Sequence, residues 1–400
     1  MTGIRCVSFK NKKVLIRVDF NVPITDQGMI TDDRRIRSSL PTIQKVIKDG
    51  GIAILLTHFG RPKNGYDLRY SLSKLLPTLS SLLQVPIAFV PYCVGAGVKN
   101  KIDALEPGSV LLLENVRFHS EELLDDKDFA QELAGLADVY INDAFGTIHR
   151  NHVSTSLLPT YFKERYAGYL LQQEIAIVDK LFSKESSPVI AIMGGNKLVD
   201  KAKPIEGLIP YVDHILIAGG LTLPFFRAKQ ALQLSPQLPP IDEQAEVIAS
   251  RLFDLLMHNS HCQLWLPTDA ITAPEMDVEA MVSTLSLTDI PYGTYALDIG
   301  PSTQAHFARL ILQAKTILWT GPIGIFEWNK CATGTVAIAQ AIAKATQQGA
   351  YSIVGGGDTA AAIKQIGYEN HVSYISTGGG ALLAYIAADR KLPSLEALNA

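Results

Sequence analysis

The chain has 400 residues, 47% of them hydrophobic and 19% charged, with a formal net charge of −3, a length suited to two or three domains. That balance provides no global field toward nucleic acid or a membrane surface. No apolar run approaches the roughly 18 residues of a membrane span, and the start, MTGIRCVSFKNKK, lacks the apolar core of a signal peptide.

In chain order, short apolar runs alternate with longer amphipathic ones. VLIRVDF (14–20) predicts a strand. RIRSSLPTIQKVIKDGG (35–51) has Ile36, Leu40, Ile43, Val46 and Ile47 at helical spacing, closed by Gly50 and Gly51. IAILLTH (52–58) reads as the next buried strand. The alternation continues through PIAFV (86–90), SVLLLE (109–114) and DVYIND (138–143). It resumes at PVIAIMGG (188–195), DHILIAGG (213–220), CQLWLP (262–267), TILWTGP (316–322), YSIVGGG (351–357) and VSYISTGGG (372–380). Such alternation predicts parallel sheets covered by helices on both faces, and two runs of it predict two lobes. The border falls in YAGYLLQQEIAIVDKLFSKESSP (166–188), where one long helix from Gly168 to Phe182 precedes a polar loop. That helix either bridges the lobes or packs as an ordinary one. Cys6, Cys93, Cys262 and Cys331 are scattered without a CxxC pair and read as reduced cytosolic thiols, not a disulfide frame or a zinc site.

In open parallel sheets, ligands sit beyond the carboxyl ends of the strands. In the second half those ends are glycine-rich: GGNK (194–197), GGL (219–221), TGPIG (320–324), GGGDT (355–359) and STGGG (376–380). Glycine lets backbone approach a ligand, and free N–H groups at a helix start favour phosphate. One such loop is as readily a tight turn; five at successive strand ends point to a nucleotide-phosphate floor. Asp358 among those amides repels phosphate unless a cation stands between, which makes it a candidate Mg²⁺ partner. It can also serve as a helix N-cap, and the two roles are compatible. Lys197 and Lys201, four apart on an expected helix start, share one face and either hold a phosphoryl group or form a solvated pair.

The first-half strand ends are polar and basic instead: RVDFNVP (17–23), THFGRPK (57–63), ENVRFH (114–119) and NDAFGTIHRNH (142–152). They supply Asp19, Asn21, His58, Arg61, Arg117, His149 and Arg150 at one edge. Ten of the fourteen arginines precede position 170, and arginine suits planar grips on carboxylate and phosphate. These residues predict an anion pocket for a small, doubly acidic molecule. No GxxxxGK[ST] motif occurs and no clean GxGxxG opens a βαβ unit, so neither a P-loop enzyme nor a nicotinamide dehydrogenase has its fingerprint. A hinged two-lobe anion-binding protein without catalysis is the competing reading from another class.

RVDFNVP, THFGRP, ENVRFH, NDAFGTIHR, GGNKLVDK, LDIGPST, WTGPIGIFEW, GGGDTAAA and STGGGA, in that order, resemble the signature segments of the phosphoglycerate kinase family. The resemblance runs from about residue 10 to the C-terminal end. It implies an α/β fold of two Rossmann-like lobes, each a mostly parallel sheet covered by helices, joined by an interdomain helix and hinge. Residues 1–168 would form the 3-phosphoglycerate lobe, with the tail from about 386 to 400 packing back on it. Residues 169–385 would carry the helix and the nucleotide lobe. The family pattern implies substrate binding by Asp19, Phe20, Asn21, Arg35, His58, Phe59, Gly60, Arg61, Arg117 and Arg150. It implies MgADP or MgATP binding by Lys197, Lys201, Gly220, Gly300, Glu327, Gly355, Gly356, Gly357, Asp358 and Thr359, with Glu327 on the ribose and Asp358 on the metal. Arg35, Lys197, Gly356 and Gly379 would act on the transferring group.

The reaction so implied is reversible phosphoryl transfer between 1,3-bisphosphoglycerate and ADP in the cytoplasm, by a monomer with no nucleic-acid or membrane partner. It needs positioning and charge neutralisation, with no phosphoenzyme and no general base. Three positions depart from the family pattern: Thr320 stands where the family has asparagine, Asn196 where it has alanine, and Pro224 follows an altered GGL turn. All lie near the nucleotide and bear on its affinity. Thr320 also leaves room for a catalytically weakened homologue with a regulatory role.

Overall fold

In the computed structural model of the chain, residues 2–25, 27–63, 65–230 and 242–400 are described. They form two compact units, Met1–Ala176 with Lys391–Ala400, and Ile177–Arg390.

The first unit contains β1 (Lys13–Arg17), α1 (Arg34–Lys48), β2 (Ile52–Leu56), α2 (Leu76–Leu83), β3 (Ile87–Phe89), α3 (Ala96–Asp103), β4 (Val110–Leu112), α4 (Lys127–Ala134), β5 (Val139–Asn142) and β6 (Glu164–Ala167). The six strands are parallel in the order β3-β4-β2-β1-β5-β6. The central strands are buried on both faces, which is why β2 reads IAILL without alternation. Ile36, Ile43 and Val46 of α1 pack into the core over the sheet, and fully burying each such side chain contributes roughly 1.5–3 kcal/mol. The β1 ladder ends at Arg17, three residues before the predicted strand end. Val18–Phe20 continue beside β2 as a buried loop, with the Phe20 amide bonded to the Thr57 hydroxyl at 3.0 Å.

Helix α5 (Tyr169–Asp179) follows β6 and runs into a 3₁₀ turn, Lys180–Phe182, so the predicted helix of 168–182 is present as these two pieces. The division between the units falls inside α5. The second unit contains β7 (Val189–Met193), α6 (Ala202–Leu208), β8 (His214–Ile217), α7 (Thr222–Gln230), α8 (Glu243–Met257), β9 (Gln263–Trp265), β10 (Asp269–Ala273), β11 (Ser283–Ser286), β12 (Tyr295–Ile299), α9 (Pro301–Ile311), β13 (Thr316–Thr320), α10 (Thr333–Gln347), β14 (Tyr351–Gly355), α11 (Gly357–Gln365), β15 (Tyr374–Ile375) and α12 (Gly379–Ala387). Six strands form a parallel sheet, β15-β14-β13-β7-β8-β9, whose core includes the fully buried Trp319. β10, β11 and β12 form a separate antiparallel sheet. The last helix, α13 (Pro393–Asn399), belongs to the first unit and packs on a single π-helical turn, Val153–Leu157.

Both parallel sheets reverse their strand order at one place, beside β1 and β5 in the first unit and beside β7 and β13 in the second. Ligands collect at such switch points, outside the carboxyl strand ends.

Candidate functional site: a basic strand-end cluster and a glycine-lined cavity

In the first unit, the loops after β1, β2, β4 and β5 bring the predicted residues together. Arg35, at the start of α1, sets Nη1 3.3 Å from Asp19 Oδ2 and 2.8 Å from the carbonyl of Asn21. The Asn21 side chain accepts from the Gly60 amide at 2.8 Å, and Arg117 donates to the Gly60 carbonyl at 2.7 Å. Asn115 braces this loop by bonding both the amide and the carbonyl of Phe59. His58 is buried between Arg17 and Arg150. Arg61 is exposed at the rim. Phe20 and Phe59 turn their rings into the core, so only their backbone can serve a ligand here.

Crowded cations define the electrostatics. Burial, then Arg150 and Arg17, pushes the Arg117 guanidinium down to about 10. Burial and four neighbouring arginines hold His58 well below the usual imidazole range. Burial first, and then nearby arginines, pushes His152 down to about 4. A cluster that disfavours its own charges in this way gains most when an anion arrives.

In the second unit, a cavity of about 950 Å³ lies at the strand ends. Gly195, Asn196 and Lys197 follow β7, Gly219 and Gly220 follow β8, and Thr320, the last residue of β13, leads into Gly321 to Trp328 along its wall. The starts of α11 (Gly356 to Thr359) and α12 (Gly379, Gly380) aim free amides into it. Thr359 closes the floor by accepting from the Gly321 amide at 2.7 Å. Lys201 sits 3.3 Å from the Thr320 carbonyl and 3.5 Å from its hydroxyl. Burial pushes this ammonium down to about 8, against Asp358 and Asp200, which favour its charge. Met276, Tyr295, Leu297 and Ile325 give one side an apolar flank. Glu327 is exposed at the edge.

The helical placement of the two lysines requires correction. Lys197 lies in the turn after β7, and Lys201 ends a 3₁₀ turn, Val199–Lys201. Gly195 takes φ +90° and turns the chain, and α6 starts only at Ala202, just ahead of Pro204. The lysines reach one cavity by a loop, not by sharing a helix face. The two readings of Asp358 also separate. The N-cap of α11 is Gly356, and Asp358 is the exposed second residue of the helix, with no hydrogen bond to its carboxylate among the described residues. Pro224 falls in the first turn of α7, where proline is tolerated.

Gly300 does not line the cavity. It is the N-cap of α9, packed against Asp269. Gly355 is the buried last residue of β14. Sequence reasoning passed over Arg17, Glu122 and Ser154, buried behind the basic cluster, and the apolar flank on β12. The arginine in RVDFNVP was the available signal for the first group. The short β10–β12 hairpin strands gave none for the second.

A donor-rich basic cluster and a glycine-lined cavity, each at the switch point of its own parallel sheet, suit a phosphotransferase of two α/β units. The sequence model of the family described as phosphoglycerate kinase matches residues 4–389. The chain is 43% identical to a phosphoglycerate kinase of Chlorobium chlorochromatii over 98% of both chains. It is also 43% identical to that of Chloroherpeton thalassium over the same share. Among solved structures, phosphoglycerate kinase from Coxiella burnetii superposes with a TM-score of 0.87 at 34% identity, covering 99% of this chain and 98% of that one. The enzyme from Pyrococcus horikoshii gives 0.82 at 28% identity, covering 100% and 98%. The chain belongs to the phosphoglycerate kinase family.

Proposed function

We propose that the chain performs its family's glycolytic reaction, moving the acyl phosphate of 1,3-bisphosphoglycerate to MgADP to give 3-phosphoglycerate and MgATP, and that each unit takes one substrate. The observation that carries this division is the contrast between the two sites. The first offers cationic and neutral donors, suited to a carboxylate and a phosphate ester. The second offers helix-start amides, two lysines and an apolar flank, suited to a nucleotide.

Asp19, Asn21, Arg35, His58, Arg61, Arg117 and Arg150 then hold 3-phosphoglycerate. Lys201, Gly356, Gly357 and Thr359 hold the nucleotide phosphates, and Glu327 meets the ribose. The residues present fit a magnesium ion carried by the nucleotide. Asp358 offers one exposed, unbonded carboxylate beside the phosphate floor, and no cluster of three or more metal-ligating side chains exists among the described residues. Magnesium takes such a set readily, one or two carboxylates plus phosphate oxygens. Its chemistry there is neutralisation of phosphate charge.

The carboxylate oxygen that attacks in the reverse direction is ionised at neutral pH and needs no base. Transfer in one step requires the two substrates to meet in line, with water excluded. Arg35 and Lys197 bracket the transferring oxygens, and the amides of Gly356 and Gly379 add donors. We take the working species to be a cytoplasmic monomer; among the described residues no helix is long and apolar enough to cross a membrane.

The test is 3-phosphoglycerate-dependent ADP formation from MgATP, drawn forward by a coupled dehydrogenase. Turnover that needs both substrates and magnesium supports the reading. Absent turnover with 3-phosphoglycerate still binding in calorimetry would replace it with a binding or regulatory role.

A further inference from the structure

His58 stands between two arginines. Arg17 Nη2 lies 3.3 Å from its Nδ1, and Arg150 Nη1 lies 3.1 Å from its Nε2. A guanidinium can only donate, whereas a neutral imidazole has one acceptor nitrogen and one N–H. One arginine therefore faces a lone pair and the other faces a proton.

The packing behind the site decides which. Arg17 is fully buried at the end of β1. Its Nε donates to the Ser154 hydroxyl at 2.8 Å, and its Nη1 donates to the carbonyl of Val18. Ser154 is pinned in turn: its hydroxyl donates to Glu122 Oε1 at 2.6 Å and its amide to Oε2 at 2.9 Å. Glu122 and Ser154 are both fully buried. This chain of bonds fixes the guanidinium with Nη2 aimed at Nδ1. Arg150 is half-buried, on the loop after β5, and is held less tightly.

Among the described residues, Asp19 is the one carboxylate within 4 Å of Nδ1. Its Oδ1 is 3.9 Å from Nδ1, beyond hydrogen-bond length, and the carboxylate is already engaged by Arg35 and by the Asn21 amide. Burial, then Arg17, Arg117, Arg150 and Arg35, keeps the His58 ring neutral. His152, 3.9 Å from Glu122, is held neutral as well.

We infer that Glu122 and Ser154, acting through Arg17, lock His58 as its Nε2–H tautomer, so that it meets an anionic substrate as a neutral donor beside the Arg150 cation. The inference rests on the proposed anion-binding role of this cluster and deepens it. With the proton on Nε2, His58 and Arg150 turn donors toward each other. An anionic oxygen placed between them satisfies both, which neither residue can do for the other. Glu122 and Ser154 are positioning residues, since they sit behind Arg17 and out of reach of a ligand.

Nitrogen-15 NMR of the histidine-labelled protein at neutral pH reads the tautomer directly, with the His58 signal assigned by its loss in His58→Gln. The expected result is a protonated Nε2 and a bare Nδ1. A bare Nε2, or a ring protonated on both nitrogens, overturns the inference. Glu122→Gln keeps the shape but weakens the anchor of Ser154. It is expected to mix the tautomers and to raise KM for 3-phosphoglycerate roughly tenfold, while KM for MgATP stays at the parental value. Should that variant fail to fold, Ser154→Ala gives the same readouts. A folded variant with the parental tautomer and parental KM would remove both residues from the role. An inactive parent enzyme would refute the kinase reading, and the NMR signature of the free protein would still decide the tautomer.

Discussion

A β-carbon built on Gly379 would lie 2.1 Å from the amide nitrogen of Gly356. The start of α12 therefore rests directly on the backbone at the start of α11, where Gly356 itself holds φ +101°. Only glycine at 379 permits this contact, because backbone cannot move aside as a flexible side chain can. The two helix starts that supply free amides to the cavity are thus one packed unit.

Gly379→Ala pushes those helix starts apart. Forced repacking of this kind costs about 1–3 kcal/mol. Nucleotide affinity in calorimetry should fall, and the melting temperature with it, while 3-phosphoglycerate affinity is kept. An alanine variant that binds MgADP as the parent does would show that the α11 and α12 amides do not need this spacing.

Arg35 is anchored by Asp19 and the Asn21 carbonyl yet remains one-third exposed, with side-chain exposure of 33%. Its donors are therefore aimed but not consumed. Arg35→Ala should lower kcat by about 10²–10³-fold, the scale of losing one transition-state donor, and leave nucleotide binding intact. Arg35→Lys should recover little of the loss, since an ammonium lacks the planar fork. Near-normal turnover in the alanine variant takes Arg35 out of the transfer step.

Among the described residues the Asp358 carboxylate has no hydrogen bond, and its charge acts on the Lys201 ammonium through space. Asp358→Ala should weaken binding of MgADP far more than of magnesium-free ADP at neutral pH, and should leave 3-phosphoglycerate binding unchanged. Titrations with and without magnesium check this. A drop in stability without the magnesium-dependent loss would mean that Asp358 serves mainly the N-terminal dipole of α11.

Much of this site was legible because its residues stand directly after buried strands. IAILL and VIAIM reveal their strands as continuous apolar runs, and THFGR and MGGNK then mark the ligand edge. Glycine at the ends of β7, β8 and β14 had a reading in backbone chemistry alone. What stayed hidden depends on tertiary contact. Ser154 and Glu122 look like ordinary polar residues until folding places them against Arg17. β10–β12 escaped notice because β11 is STLS, mostly exposed, with no apolar alternation to find. The lysines were placed on a helix because four-residue spacing suggests one, whereas the turn at Gly195 delays α6 to Ala202. Gly300 carries the family pattern but answers a packing need against Asp269.

The Lys201 ammonium is displaced from its ordinary 10.5 to about 8, chiefly by burial, and this has two consequences of opposite sign. Below about 8 the folded and unfolded states both hold the proton, so the full cost of the buried cation is present. Between about 8 and 10.5 the unfolded state binds more protons than the folded one, and this group's contribution to stability rises with pH. Phosphate binding needs the cation, so nucleotide capture runs the other way. kcat/KM for MgATP, which reports the free enzyme, should fall as pH rises through about 8. Lys201→Arg keeps its charge throughout this range and should flatten the fall. Asp358→Ala removes a charge that favours the ammonium, and should move the midpoint to lower pH. A midpoint that stays in place in both variants would assign the titration to another group and leave Lys201 as a permanently charged anchor.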